Sequence, residues 1–219
     1  MSQFVKSPMP QIDHHFIQTA TAQLSETNPF FGHIVAQWGV PVLTSRNASF
    51  ASLLHIILEQ QVSLASALAV YNRLVALTGT LTPQTFMPLD DQQLKQIGFS
   101  RQKIIYGRHL ALALTQGDLE LDALARKDDN GVRDALMQLK GIGRWTADIY
   151  LLMVLKRTDV WPAGDLALAV SYQETLGLAV RPTQAELAVI AQKWRPVRSV
   201  AALLLWHQYL SKRGKQYPL

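Results

Sequence analysis

A glycine-rich turn in the second half of the chain constrains the fold most. Gly141 and Gly143 flank Ile142, between one helix-compatible segment that ends over residues 134–139 and another that covers residues 144–155. Glycine has no Cβ, so the backbone can turn tightly here and bring its N–H groups close to a partner. The sequence therefore predicts two helices joined by a short turn, either an ordinary αα-hairpin or a helix-hairpin-helix motif.

This turn has the chemistry of an anion site. A helix that begins at or near Arg144 directs its unpaired N–H groups, and the positive end of its dipole, back toward the turn. Lys140 and Arg144 surround the turn with positive charge. We therefore predict that Lys140, Gly141, Gly143 and Arg144 bind a phosphate group.

A loop and an aspartate follow the second helix. Pro162 and Gly164 break the helical pattern, and Asp165 then precedes a new helical run. An aspartate at this point is expected to cap the next helix, and taken alone the cap is the simpler interpretation.

The order of hairpin, loop and aspartate resembles the helix-hairpin-helix DNA glycosylase superfamily, most closely its alkylbase (3-methyladenine type II) branch. The motif of that branch, GIGxWTA followed by a loop and a catalytic aspartate, is matched by Gly141, Ile142, Gly143, Trp145, Thr146, Ala147 and Asp165. The family's Q-x-V/L-S turn and its C-terminal W-x-P-x-R-S…W stretch are matched as well, so the resemblance covers residues 48–210. Only some fifty residues precede the match, as in compact members without a β-rich N-terminal domain.

The periodicity and the resemblance together predict the fold class. No long period-2 alternation occurs, so we predict an all-α chain of some ten helices. The resemblance implies two helical lobes around an active-site cleft, in a single unit over residues 1–219. We assign residues 1–48 and 165–219 to a terminal lobe, residues 49–164 to the lobe that contains the hairpin, and residues 1–10 to a loose tail.

Composition limits the cofactors. Because the chain has no cysteine, it can form no disulfide, thiolate zinc site or cysteine-ligated iron–sulfur cluster. Its histidines lack metal-ligand spacing. We expect no required cofactor. The resemblance adds one structural Na⁺ or K⁺, held at the hairpin by the backbone carbonyls of Met137, Leu139 and Ile142.

Charge and hydropathy limit the partners. The net charge of +5 and the pI near 9.6 favour a polyanionic partner, although this mild basicity is common. No apolar run reaches the roughly 18 residues of a membrane span, and no signal core begins the chain. We expect a monomer that acts on double-stranded DNA containing alkylated bases, with no membrane association.

The resemblance also assigns the contacts to DNA. A base within a duplex is inaccessible, so a glycosylase must flip the nucleotide out of the stack. Gln61 then fills the gap, although a solvated helix end is the alternative for Gln60 and Gln61. The N–H groups of Gly141, Gly143 and Thr146 grip the DNA backbone.

The base pocket should be aromatic, because alkylation makes a purine cationic and a cation over an aromatic ring gains about 0.5–2 kcal/mol. Trp145 and Trp206 match family pocket positions. Trp161 and Tyr150 are weaker candidates, since aromatic residues at helical spacing more often belong to the core. The family's pocket tyrosine falls on Ile149.

Asp165 is the predicted catalytic residue. Its carboxylate would stabilise an oxocarbenium-like sugar and orient or deprotonate water. Asp159, expected to be solvated, and Asp148, expected to be solvated or salt-bridged, are the competitors. Trp145 occupies the position of the Schiff-base lysine of bifunctional relatives, so no lyase step is expected.

We therefore predict a monofunctional DNA glycosylase that releases alkylated purines such as 3-methyladenine and 7-methylguanine, with hypoxanthine as a further candidate. Two alternatives remain at this point: a glycosylase for mismatched adenine or oxidised bases, and a non-catalytic helix-hairpin-helix module that only binds DNA. The absent cysteines and Trp145 disfavour the first, and Asp165 disfavours the second.

Overall fold

The computed structural model describes residues 10–216, which form thirteen α-helices and one short 3₁₀ helix. The first seven helices are α1 (His14–Thr27), α2 (Pro29–Trp38), α3 (Phe50–Glu59), α4 (Leu64–Thr78), α5 (Pro83–Phe86), α6 (Asp91–Gln96) and α7 (Arg101–Gln116). The others are α8 (Leu121–Arg126), α9 (Asp129–Met137), α10 (Arg144–Met153), α11 (Leu166–Leu176), α12 (Gln184–Ala191), the 3₁₀ helix (Gln192–Trp194) and α13 (Arg198–Ser211).

The prediction of an all-α fold is confirmed, since residues 10–216 contain only one isolated β-bridge, between Gln11 and Arg157. None of the helices in this part of the chain is long and apolar enough to cross a membrane. Nine residues of the predicted N-terminal tail lie outside the described residues.

Local capping signals set many of the helix ends. The Ser49 hydroxyl accepts a hydrogen bond from the Ser52 amide and so starts α3. The sequence pattern predicts capping boxes at Asp90 and Thr183, and both form, each with the side chain three residues later. Such caps satisfy amides that have no partner within the helix. The helix α8 was not predicted, because its cap residue, Glu120, makes no capping hydrogen bond.

The helices pack in two groups. In one group α3 packs against α4, α7 and α10, and α9 packs against α10. In the other, α13 packs against α1, α2 and α11. The chain passes between the groups at residues 39–49 and 154–165. The two groups are defined by helix contacts alone. The lobe boundaries that the sequence predicts at residues 48 and 165 stay a prediction.

Polar contacts, one of them buried, fix the second crossing segment. Asp159 pairs with Arg195 at 3.1 Å and with Arg198, at the start of α13, at 2.7 Å. The Val160 N–H donates to the hydroxyl of the buried Ser199 at 2.9 Å. The expectation that Asp159 is solvated is therefore wrong, because its carboxylate is held by two guanidinium groups. These contacts fix the path of the chain five residues before Asp165.

Candidate active site and nucleic-acid interface

The two glycines of the hairpin have different structural roles. Gly141 has a φ of +90°, and a Cβ added to it would lie 2.1 Å from Cγ of the Tyr106 ring. No residue with a side chain fits this position. Gly143 has an extended backbone with a φ of −99°, and no atom lies within 4 Å of an added Cβ. Gly141 therefore allows the hairpin to pack on α7, whereas Gly143 leaves open space in front of α10.

The hairpin presents backbone donors to that open space. The first hydrogen bond of α10 runs from the Ala147 N–H to the Gly143 carbonyl, so the three preceding helical amides have no partner within the helix. Gly143 has no side chain with which to cap them. Lys140 and Arg144 are both exposed beside the turn. Amides, helix dipole and cations together have the chemistry that a phosphate group requires, and the binding of a phosphate by these residues stays a prediction.

Thr146 is the exception among the predicted phosphate contacts. It is only 2% exposed, and its hydroxyl accepts a hydrogen bond from Gln60. Its part in phosphate binding stays a prediction.

A buried ion pair joins the two helices of the hairpin. Arg133 on α9 donates to Asp148 on α10 at 2.7 Å, and Arg144 approaches the other oxygen of Asp148 at 3.3 Å. Asp148 is fully buried, and this burial raises the pKa of its carboxyl group, an effect that the two guanidinium groups oppose. Asp148 is thus salt-bridged, which is one of its two expected roles, and it fixes the angle between the helices on either side of the turn.

Asp165 has two distinct hydrogen bonds. Its Oδ1 atom accepts the Leu168 N–H at 3.1 Å and so caps α11. Its Oδ2 atom accepts the indole N–H of Trp145 at 2.9 Å. The side chain is partly exposed. The carboxylate is therefore held in one orientation by α10 and α11, between the hairpin and the terminal group of helices.

Trp145 thus has a role that the sequence did not suggest. It was predicted to line the base pocket, and the structure shows that its indole N–H orients the predicted catalytic carboxylate. The ring is partly exposed, so stacking on a base stays a prediction for this residue.

The turn after α3 lies against the hairpin. Gln60 donates from its side-chain amide to the Gly141 carbonyl and to the Thr146 hydroxyl, both at 2.9 Å. Gln61 follows with a φ of +58° and is exposed, and the next residue, Val62, is 46% exposed. Gln60 is therefore not a solvated residue, because its side chain connects the turn after α3 to the hairpin. Gln61 is the exposed side chain at the tip of the turn after α3.

The other predicted pocket residues are buried. Trp206 is 7% exposed, and Trp161 packs edge-on against Trp194 with ring centroids 5.3 Å apart. Tyr150 is fully buried among core residues, and burial, with a smaller effect of Asp122, raises the pKa of its hydroxyl to about 12. Tyr150 therefore lies in the core and not on an open cleft, which corrects its assignment to the pocket.

Of the predicted cation ligands, Met137 ends α9, and Leu139 and Ile142 lie in the turn that follows. This helix ends at Met137, so its last carbonyls lack helical partners, and the Leu139 carbonyl accepts the Ile142 N–H at 3.1 Å. Carbonyls at a helix C-terminus suit a monovalent cation electrostatically. Among the described residues no cluster of His, Asp and Glu is suited to a metal ion.

Three residues that shape the site were missed in the sequence: Gln60, Tyr106 and Arg133. Gln60 and Tyr106 contact the hairpin from distant parts of the chain, and Arg133 lies within the hairpin but bonds Asp148 fifteen residues later. Gln60 carried the only signal, as one of two adjacent glutamines at the end of an apolar helix.

In comparison with known proteins, the central part of the chain matches one protein family. Residues 54–196 match the model described as "HhH-GPD superfamily base excision DNA repair protein". DNA-3-methyladenine glycosylase 1 of Schizosaccharomyces pombe is 30% identical over 161 residues, which are 72% of this chain and 71% of that protein. The YfjP protein of Bacillus subtilis is 25% identical over 200 residues, 88% of this chain and 66% of that protein, so the chain spans slightly less than two thirds of YfjP.

A solved structure has the same fold. The S. pombe 3-methyladenine DNA glycosylase in complex with abasic DNA superposes with a TM-score of 0.81 at 28% identity, covering 86% of this chain and 95% of that one.

Proposed function

Since the chain belongs to the HhH-GPD superfamily of base excision DNA repair proteins, we propose that it is a monofunctional glycosylase that hydrolyses the N-glycosidic bond of alkylated purines in duplex DNA. One observation carries the proposal. The Asp165 carboxylate is fixed by the Leu168 amide and the Trp145 indole, beside a hairpin whose amides are open to a phosphate. A protein that only binds DNA has no need of a fixed anion beside a polyanionic ligand.

The hairpin would hold the DNA backbone near the lesion. The free amides of α10 and the charges of Lys140 and Arg144 provide the contacts to a phosphate. A Na⁺ or K⁺ ion on the carbonyls of Met137, Leu139 and Ile142 would add positive charge to the same grip. Because phosphate contacts release counterions, affinity for duplex DNA should fall steeply with salt.

Asp165 would act on the sugar. As the glycosidic bond breaks, positive charge develops on the deoxyribose ring, and an anion already held in place stabilises it without reorganisation. The same carboxylate can orient or deprotonate the attacking water. The Trp145 indole is a positioning group here, because its N–H fixes the direction of one carboxylate oxygen. Trp145 also stands at the family's lysine position, which supports hydrolysis without a lyase step.

The substrate class follows from the leaving group. 3-Methyladenine and 7-methylguanine are cationic in DNA, so they depart without a strong general acid. The proposed mechanism therefore uses no general acid. The partly exposed indole of Trp145 would face such a cation favourably, and Trp206, which is 7% exposed, is the second predicted pocket residue. The names of the S. pombe relative and of its complex with abasic DNA support the same class.

The direct test is base release. DNA treated with a methylating agent is incubated with the protein, and free bases are identified by chromatography. We expect 3-methyladenine and 7-methylguanine in the supernatant, with strands that break only after alkali. A protein that binds this DNA but releases no base would contradict the proposed activity, and strand cleavage without alkali would contradict the monofunctional assignment.

Substitution of Gly143 should separate DNA binding from folding. In Gly143→Asp the new Cβ meets no neighbouring atom, and the carboxylate can cap α10 by accepting an amide hydrogen bond. The melting temperature should therefore stay the same or rise slightly. Affinity for duplex DNA should fall about 10- to 100-fold, because the carboxylate occupies the phosphate donors and repels the phosphate.

Gly143→Asn is the matched control, since it caps the helix equally well without the charge. It should bind more tightly than Gly143→Asp, and the difference between the two variants should shrink as salt rises. Affinity unchanged from the wild type in Gly143→Asp, measured by fluorescence anisotropy, would remove the hairpin from the interface.

A further inference from the structure

The C-terminal end of α3 is held by polar contacts from three other parts of the chain. The Leu58 carbonyl accepts a hydrogen bond from Nζ of Lys103 at 2.6 Å, and the buried Glu59 carboxylate pairs with the Arg46 guanidinium. Gln60 then reaches the hairpin. The last carbonyls of a helix have no partners within it and the end frays easily, so these contacts make the end of α3 rigid as far as Gln60.

The neighbouring histidine does not compete for Glu59. Burial, with a smaller effect of Arg46, lowers the pKa of His55 to about 4, so its ring is neutral near pH 7 although it lies 3.7 Å from the carboxylate. The ring stacks on Tyr71 instead, with centroids 4.3 Å apart. Glu59 is therefore paired with Arg46 and contributes a fixed point to the turn.

Gln60 differs from the other anchors because its partners belong to the hairpin. Its side-chain amide donates to the Gly141 carbonyl and to the Thr146 hydroxyl, at 2.9 Å each, and so uses both of its hydrogens. Gly141 is the turn residue of the hairpin, and Thr146 lies in the first turn of α10. One partly buried side chain thus joins the turn that carries Gln61 to the turn that faces the phosphate.

Gln61 has a backbone conformation that needs support. Its φ of +58° lies in the left-handed region, which is unfavourable for a residue with a side chain. Such a conformation persists only where the surrounding structure imposes it. The anchored residues 58–60 precede Gln61, and Ser63 caps α4 by accepting the Ser66 amide. The exposed side chain of Gln61 is therefore the tip of a rigid turn.

We propose that Gln60 is a positioning residue that couples the hairpin's grip on the DNA backbone to the insertion of Gln61 into the base stack. In this proposal Gln60 does not contact the DNA. Its two hydrogen bonds, to Gly141 and Thr146, hold Gln61 at a fixed distance from the phosphate site. This inference rests on the proposed function. Without these bonds the turn moves relative to the hairpin, and a misplacement of about 1 Å can slow a reaction about 100-fold.

Gln60→Met tests the coupling. Methionine has a similar length but no amide hydrogens, so the packing is kept and both bonds are lost. Gln138→Met is the matched control, because the Gln138 amide also donates to a backbone carbonyl, but to that of Asp134 in its own helix. Single-turnover excision of 7-methylguanine is measured from a paired duplex and from a single-base bulge, in which the base has no pairing partner.

We expect Gln60→Met to excise about 10- to 100-fold more slowly from the duplex. On the bulge it should stay within about threefold of the wild type, because no base pair has to be broken and no orphaned partner base is left for Gln61 to contact. Gln138→Met should match the wild type on both substrates. Equal slowing on both substrates would overturn the coupling, because a general loss of structure affects both equally. No slowing on either substrate would also overturn it, because the two hydrogen bonds would then have no effect on excision.

A second readout does not depend on excision. 2-Aminopurine is placed opposite an abasic-site analogue, and its fluorescence is followed as saturating protein binds. The wild type should change the signal as Gln61 contacts the orphaned base, and Gln60→Met should give a smaller change. Equal amplitudes would overturn the inference. If the wild type excised no base at all, the proposed function would fail, and the fluorescence would still decide the role of Gln60.

Should Gln60→Met fail to fold, Thr146→Val provides the same test from the other side. Valine keeps the shape of threonine and removes one of the two acceptors of Gln60. We expect a smaller slowing, again on the duplex and not on the bulge. Loss of activity on both substrates alike would overturn the inference here too.

Discussion

Asp165→Asn should fold and bind damaged duplex DNA while base excision becomes very slow. The variant loses the negative charge that faces the sugar, and with it any general-base function. Loss of a general base alone slows a reaction about 10²- to 10⁴-fold, and loss of a fixed charge adds an effect of similar kind. Excision of hypoxanthine should fall more than that of 3-methyladenine, because the neutral base is the poorer leaving group.

The structure also predicts what this substitution does to stability. An asparagine oxygen can still accept the Leu168 amide, but its NH₂ group then faces the indole N–H of Trp145, donor against donor. One hydrogen bond is lost whichever way the amide is oriented. The free energy of unfolding should fall by about 1 kcal/mol, which leaves the protein folded.

Asp128→Asn is the control for this experiment. Asp128 caps α9 by accepting the Gly131 amide at 2.8 Å, in the hairpin's own first helix, and it is exposed. Its substitution changes a cap of the same kind at a distance from the predicted chemistry, so excision should proceed at the wild-type rate. Rates are measured under single-turnover conditions on both bases. If Asp165→Asn excised at the wild-type rate, Asp165 would be a helix cap and not the catalyst.

Most of the helical framework and the centre of the site could be predicted because their signals are local. The hairpin turn shows in two glycines, and the caps at Ser49, Asp90 and Thr183 lie within three residues of the amides that they bind. Asp165 was found by its position after a Pro/Gly loop, although its partner across the site was not. Local chemistry therefore identified which residues lie at the candidate site, and their roles stay a prediction.

The supporting contacts could not be predicted because their partners lie far apart in the chain. Gln60 and Gly141 are separated by 81 residues, and Trp145 and Asp165 by 20. The sequence also does not show which of the aromatic residues are buried. Tyr150 has the same spacing in a core helix as beside a pocket, and Trp161 lies in the connection after α10; only packing shows that both are buried. Tertiary contacts decided these positions.

Gly141→Ala should damage the hairpin itself, in both stability and DNA binding. A residue with a Cβ is unfavourable at a φ of +90°, at a cost of about 1–3 kcal/mol. In addition, the new methyl group would lie 2.1 Å from the Tyr106 ring, so the turn or α7 must move, and such overpacking costs about 1–3 kcal/mol. We expect the free energy of unfolding to fall by about 2–6 kcal/mol, the sum of these two costs.

The neighbouring glycine provides the matched control. Gly143 has an extended backbone and open space where the Cβ would be, so Gly143→Ala should lower the free energy of unfolding by no more than about 1 kcal/mol, through the poorer helix cap. Denaturant unfolding of both variants, followed by circular dichroism, gives the comparison. Equal effects at the two positions would mean that Gly141 is not required by the turn.

The Tyr106 ring allows the two costs of Gly141→Ala to be separated. In a Tyr106→Ala background the clash is gone, whereas the unfavourable φ at position 141 remains. Gly141→Ala should therefore destabilise this background by about 1–3 kcal/mol less than the wild type, which a double-mutant cycle measures directly. DNA affinity should recover with the stability, because the amides of α10 point at a phosphate only when the turn has its native shape. Purely additive substitutions would show that the ring does not restrict position 141, and that the packing of α7 on the turn does not shape the phosphate site.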